Sequence, residues 1–341
     1  MNNPVISRAL AFTFALSIQT AVQAQGPLTP PGPPAALLKT LDQLEPRTDV
    51  LRLPGSATIA HIIDRPGSYY LTGNLAPTNQ HGIRIIADDV TLDLNGFVLI
   101  GPTNRTAIAG GSGLERVRIR NGVLSGWNGG IDFYIGGRCT NIVIEDLAMV
   151  LAPGTSVGIF SGPGTRVSRC RVAGVTGGSG YAIVVGDHSV VESCEVVNSL
   201  GGINVGSQSA VRDCAITDCP DNYAIFADDS SMVQHNRVDR SADGIRVNDH
   251  CLVLENICTR VSSGHGIYLS GSHSRIDGNV VSFNSGNGIQ SVSTSSNNVV
   301  VRNMARGNTN GNYNFLGSVA RGPTVTTTGI ITNHPWANFS Y

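Results

Sequence analysis

Apolar and polar positions alternate along this chain in short runs, with a period of two and not of three to four. Ile203 and Val205, Ile245 and Val247, and Ile267 and Leu269 are such pairs. Alternate side chains of a strand share one face, so each pair points to one side of a short β-strand. Each run opens on an isoleucine that follows a small or polar residue. These isoleucines stand at 83, 108, 131, 159, 183, 203, 225, 245, 267 and 289, with successive spacings of 25, 23, 28, 24, 20, 22, 20, 22 and 22. Periods of this size mark solenoids, propellers or arrays. The unit is too short for a four-stranded propeller blade, and it contains no helical run. One turn of a parallel β-helix, with two or three short strands per coil, fits it. The expected fold is therefore all-β: a right-handed parallel β-helix solenoid of about ten coils, stacked at ~4.8 Å per coil.

A second column supports the repeat. Eleven residues after Ile159, Ile183 and Ile203 come Cys170, Cys194 and Cys214; eleven after Ile225 and Ile245 come Asn236 and Asn256. With small insertions the series extends to Asn95, Asn121, Asp146, Asn279 and Asn303. Stacked inward asparagines can hydrogen-bond from coil to coil and satisfy the backbone of a bend. Cysteine suits such a column as a small buried apolar residue. The chain has 7 cysteines, an odd number, with no C-x-x-C pair. A reduced core column is expected; a metal site or a disulfide between neighbours is the alternative.

Composition narrows the function. Only 14% of residues are charged, the formal net charge is −1, and Lys39 is the one lysine among 23 basic residues. No basic stripe exists to track phosphates, so nucleic acid is not an expected partner. Arg8 precedes an apolar run from Ala9 to Ile18, and Val22-Gln23-Ala24 follows with cleavage-site spacing. That pattern reads as a secretory signal peptide over residues 1–24, placing the mature protein in the periplasm or outside the cell. A Pro-rich spacer follows at residues 25–34. Residues 35–75 read as an N-terminal cap that opens on a short amphipathic helix with Leu37, Leu38, Leu41 and Leu44 on one face. The β-helix proper is expected at residues 76–315 and a C-terminal cap at residues 316–341. No later run is apolar enough to span a membrane, and a monomer is expected.

The coils resemble the pectate-lyase-like superfamily of secreted right-handed parallel β-helices. The segments Pro66-Gly67-Ser68-Tyr69-Tyr70-Leu71-Thr72 and Asp89-Val90-Thr91-Leu92-Asp93-Leu94-Asn95-Gly96-Phe97 are similar to the opening of a bacterial β-helix family without assigned activity. The ending His334-Pro335-Trp336-Ala337-Asn338-Phe339 is similar to its terminus. The resemblance implies an extracellular polysaccharide as partner, with pectate and other uronide lyases, polygalacturonases, epimerases and phage tailspikes as characterised members. Gly264-His265-Gly266 matches one element of the polygalacturonase pattern. The paired acids of that pattern would fall at Asp221-Asn222, where the second acid is missing. Fold likeness alone does not fix function.

Register points to one surface. Two residues before the anchor isoleucines stand Tyr181, Tyr223, Asp243, His265 and Asn287; one after them stand Asn204, Phe226, Arg246, Tyr268 and Gln290; three after them stand Asp228, Asn248 and Ser270. Stacked, they form an outward strip with aromatic faces, amides and acid–base groups. Asp228, Asp243, Arg246 and His265 are the candidate catalytic residues. Tyr223, Phe226, Asn248, Tyr268, Asn287 and Gln290 are the candidate substrate contacts. In a glycoside hydrolase, Asp228 and Asp243 would act as acid and base. In a uronide lyase they would hold a calcium ion, while His265 or Arg246 takes the C5 proton. The rival class is a non-catalytic cell-envelope or adhesion module. A solvated strand face with no ligand is the plainest alternative.

Overall fold

The computed structural model describes residues 47–134, 139–178, 180–326 and 332–341. The expected signal peptide, spacer and capping helix (residues 35–45) lie outside the described residues. The described residues form an all-β parallel solenoid of about twelve coils; their one helical turn is the 3-10 segment Val50–Arg52.

Each coil contributes strands to three parallel ladders. In the first ladder every anchor isoleucine pairs with its successor: Ile83 with Ile108, Ile108 with Ile131, Ile159 with Ile183, and so on to Ile267 with Ile289. All ten are buried. The ladder gains one coil at each end, through His61 opposite Ile83 and Tyr313 opposite Ile289. A second ladder runs through Arg166–Ser168, Val190–Glu192, Ala210–Arg212 and Met232–Gln234. A third runs through Arg171–Ala173, Glu195–Val197 and the first half of Ala215–Ala227. The coils are thus not confined to residues 76–315. Arg47–Asp49 already pairs with Gly67–Tyr70, and Asn338–Ser340 closes the third ladder against Met304–Arg306.

The bend between the second and third ladders explains the Cys/Asn column. One residue per coil adopts a left-handed conformation: Arg169, Ser193, Asp213, His235, Glu255 and Arg302 have φ between 52° and 57°. The next residue then points inward, and these are Cys170, Cys194, Cys214, Asn236, Asn256 and Asn303, each at most 2% exposed. Asn236 donates from Nδ2 to Asn256 Oδ1 at 3.0 Å, Asn256 to Asn279 at 3.0 Å, Asn279 to Asn303 at 3.0 Å and Asn303 to Asn338 at 3.2 Å. Each of these Oδ1 atoms also accepts the preceding coil's backbone N–H. No buried amide in the run is left unpaired, the condition that makes buried polar columns tolerable.

Three members expected in this column belong elsewhere. Asn95, Asn121 and Asp146 are exposed and are themselves left-handed, with φ of 53°, 61° and 56°. At the inward position the early coils carry Leu147 after Asp146 and Gly122 after Asn121. Asn and Asp suit both an inward ladder and a left-handed turn. All 7 cysteines are buried and unpaired, which agrees with the core-column reading. Burial pushes the Cys258 and Cys251 thiols upward, the latter to about 11.

Candidate functional site

The outward face of the isoleucine ladder carries the predicted strip. Tyr223 lies opposite Asp243, and Phe226, Arg246, Tyr268, Gln290 and Asn314 follow one another in register. Arg246 organises its centre. Its guanidinium carbon lies 5.3 Å from the Tyr223 ring centre, 5.4 Å from Phe226 and 5.7 Å from Tyr268. Contacts of this kind contribute ~0.5–2 kcal/mol each. Nε donates to Ser270 Oγ at 3.2 Å, and Nη1 donates to the Tyr223 hydroxyl at 3.1 Å. Neither partner is a carboxylate. Among the described residues no ion pair holds Arg246, whereas Arg116, Arg169, Arg212, Arg240, Arg260 and Arg302 are all paired.

His265 and Asp243 flank this cation. The Asp243 carboxylate accepts the His265 backbone N–H at 3.2 Å. It occupies the space where Gly264 lacks a Cβ, so any larger residue there would displace it. The His265 ring stacks on Tyr268 at 5.4 Å. Its Nδ1 accepts the Asn287 backbone N–H at 3.0 Å. A backbone N–H can only donate, so the neutral ring carries its proton on Nε2. Burial pulls the His265 pKa below the ordinary histidine value, and the Asp243 charge opposes that shift. As held, His265 is a neutral donor through Nε2, because the nitrogen that would accept a proton is already occupied. Asn287 itself is buried and joins Gln290 by a side-chain hydrogen bond.

Asp228 stands apart. It follows Ala227, which pairs with Val247, and it accepts the Asn248 amide at 2.8 Å. Asp243 is five residues before Asn248 on the adjacent coil. At ~3.3 Å per residue this is roughly 16 Å along the strand, beyond the ~6.5–9.5 Å of an inverting acid–base pair. The two acids therefore do not form the hydrolytic pair expected from sequence, and they cannot share one calcium ion. Among the described residues no cluster of three or more His, Cys, Asp or Glu has metal-binding geometry.

Tyr181 belongs to the site, although only its strip position marked it in the sequence. Burial pushes its hydroxyl up to about 12, helped by Tyr223 and Asp243 and opposed by Arg246. Its ring lies over Gly201. Ser270 is a second such residue: it accepts from Arg246 and donates to Asn248 Oδ1 at 2.7 Å.

A notch of about 760 Å³ lies over Cys170 and Cys194, at the bend between the second and third ladders. On its rim Arg169 pairs with Asp146 at 2.7 Å and Arg171 with Glu195 at 3.1 Å. These pairs leave a ligand no uncommitted charge of their own.

Residues 155–305 match the family described as "right handed beta helix region". No curated protein sequence matches the chain. Among solved structures it is similar to the Dettilon tailspike protein, at 13% identity and a TM-score of 0.51, covering 80% of this chain and 61% of that one. It is also similar to a mutant tailspike of E. coli bacteriophage HK620 in complex with a pentasaccharide, at 13% identity and a TM-score of 0.52, covering 81% of this chain and 59% of that one. The chain thus spans about three fifths of either tailspike's length. At such identity the likeness concerns fold, and with the ladders described above it makes this chain a right-handed parallel β-helix.

Proposed function

We propose that the outward face of the isoleucine ladder recognises an acidic extracellular polysaccharide, with a uronate carboxylate docking on Arg246. The observation that carries this reading is a cation held in place by Tyr223, Phe226 and Tyr268 and lacking a carboxylate of its own. A guanidinium fork suits a carboxylate, and one that is already oriented loses little freedom on binding. Nη2 is the nitrogen left uncommitted by the Ser270 and Tyr223 bonds. The Nε2 proton of His265 and the amides of Asn248 and Gln290 suit sugar hydroxyls, and the surrounding rings suit sugar faces. The pentasaccharide held by the HK620 tailspike, a protein of the same architecture, accords with this class of ligand.

Recognition is supported better than hydrolysis, since Asp228 and Asp243 are too far apart to flank one glycosidic bond. The test is a panel of uronate and neutral glycans titrated calorimetrically, with and without calcium. Unsaturated products and reducing ends are followed alongside for turnover. Uronate binding that disappears in Arg246→Gln is expected. Equal binding of neutral glycans, or full uronate binding by Arg246→Gln, would overturn the reading.

A further inference from the structure

The same ladder face carries a second aromatic group, distant from Arg246. Phe160 follows its anchor Ile159 as Phe226 follows Ile225, so both belong to one outward column. Tyr134 extends from the adjacent coil and stacks on Phe160, with ring centres 4.2 Å apart and planes inclined by 15°. Tyr134 keeps 47% of its surface exposed, more than any other tyrosine on this ladder face. Asp132, opposite Phe160 in the column, accepts the Tyr134 backbone N–H at 3.0 Å, and a core that includes Ile131, Ile159 and Phe133 lies behind the rings. In this outward column Phe160 stands between Asp132 and Val184, and Asn204 follows before Phe226, so Tyr134 and Phe160 are its aromatic pair away from Arg246.

Phe160 and Phe226 are three coils apart, through Ile183 and Ile203, or ~14 Å at ~4.8 Å per coil. The low surface between them offers Asn204 and the rim of Tyr181, with no bulky side chain from Gly201. We infer that Tyr134 and Phe160 form a second sugar-stacking platform, so that one linear acidic glycan lies along the solenoid axis and engages both groups. This rests on the polysaccharide reading above and adds an orientation and a minimum length to it. A disaccharide docked on Arg246 cannot reach Phe160, whereas an octamer can. Stacking on an exposed aromatic platform suits a sugar ring because its axial C–H faces are apolar while its rim is polar.

The experiment is calorimetric titration of oligogalacturonates and oligomannuronates, as dimers and as octamers, against four proteins. These are the wild type, Tyr134→Ala, Phe160→Ala and Arg246→Gln, each checked for an unchanged melting profile. The wild type should bind an octamer roughly tenfold more tightly than a dimer, a difference of ~1.4 kcal/mol. Tyr134→Ala should erase that gain and leave dimer affinity unchanged, and Phe160→Ala should do the same. Arg246→Gln should lose both ligands. Octamer affinity untouched in Tyr134→Ala and Phe160→Ala, with Arg246 still required, overturns the second platform alone. Failure of the wild type to bind any of these oligomers overturns the polysaccharide reading and the platform with it. Because Tyr134 is exposed, its variant stays informative even if Phe160→Ala does not fold.

Discussion

Replacing Asn256 with leucine removes a side chain of similar size from the middle of the amide column. In the native coil stack Asn256 Oδ1 accepts the Asn236 backbone N–H at 2.9 Å and Asn236 Nδ2 at 3.0 Å. Its own Nδ2 donates to the Val233 carbonyl at 2.9 Å and to Asn279 Oδ1 at 3.0 Å. After Asn256→Leu, Asn279 Oδ1 still accepts the backbone N–H of residue 256, and Asn236 Nδ2 still donates to Val211. Three buried groups then lose a partner: the Asn236 N–H, one Asn236 amide hydrogen and the Val233 carbonyl. At ~1–3 kcal/mol for each unsatisfied group, the loss should be at least ~3 kcal/mol. That is a large part of a typical folding stability of ~5–15 kcal/mol. The assay is urea denaturation followed by circular dichroism, with Asn104→Ala as an exposed comparison. A midpoint for Asn256→Leu within ~1 kcal/mol of wild type would refute the claim that the column satisfies the bend.

Thiol titration in denaturant without reductant should find all 7 cysteines free, and almost none reactive in the folded protein; any intramolecular disulfide would contradict the buried-column reading. The lowered His265 pKa means the unfolded chain binds more protons near the ordinary histidine value of ~6.5. Its contribution is therefore complete above that value and is lost as pH falls below it. The stability of His265→Gln relative to wild type should accordingly improve on acidification, and a constant difference between pH 8 and pH 5 would oppose it. Arg302 and Arg275 hold the Asp277 carboxyl below its ordinary range against the effect of burial. That stability is present above ~pH 4 and fades as pH drops through the lower folded value, so Asp277→Asn should flatten the acid limb of the stability curve. Gly264→Ala pushes the new Cβ into the Asp243 carboxylate; it should weaken uronate binding several-fold, and unchanged affinity would remove Asp243 from the site.

The isoleucine ladder was fully readable in the sequence because a period of two within strands and of twenty-odd residues between them leaves no helical alternative. The Cys/Asn column was readable from Cys170 to Asn256, where each coil runs eleven residues from anchor to bend, and it carried on across small insertions to Asn279 and Asn303. It slipped by one residue at Asn121 and Asp146, because a left-handed turn position and an inward amide position accept the same residue types. Strip membership could be read from register, and it brought Tyr223, Arg246, His265 and Tyr268 together. Distance along the strand could not be judged from column membership alone, so Asp228 and Asp243 looked like partners. The cage around Arg246 depends on side-chain direction across three coils, and the protonated nitrogen of His265 depends on a backbone amide 22 residues away; neither has a local sequence signal.

The most direct test of the account is the structure of the protein with an acidic oligosaccharide bound. A carboxylate is expected within hydrogen-bond distance of the Arg246 guanidinium, with the chain running along the isoleucine ladder toward Phe160. A ligand seated instead in the notch over Cys170 and Cys194, with Arg246 left untouched, would contradict it.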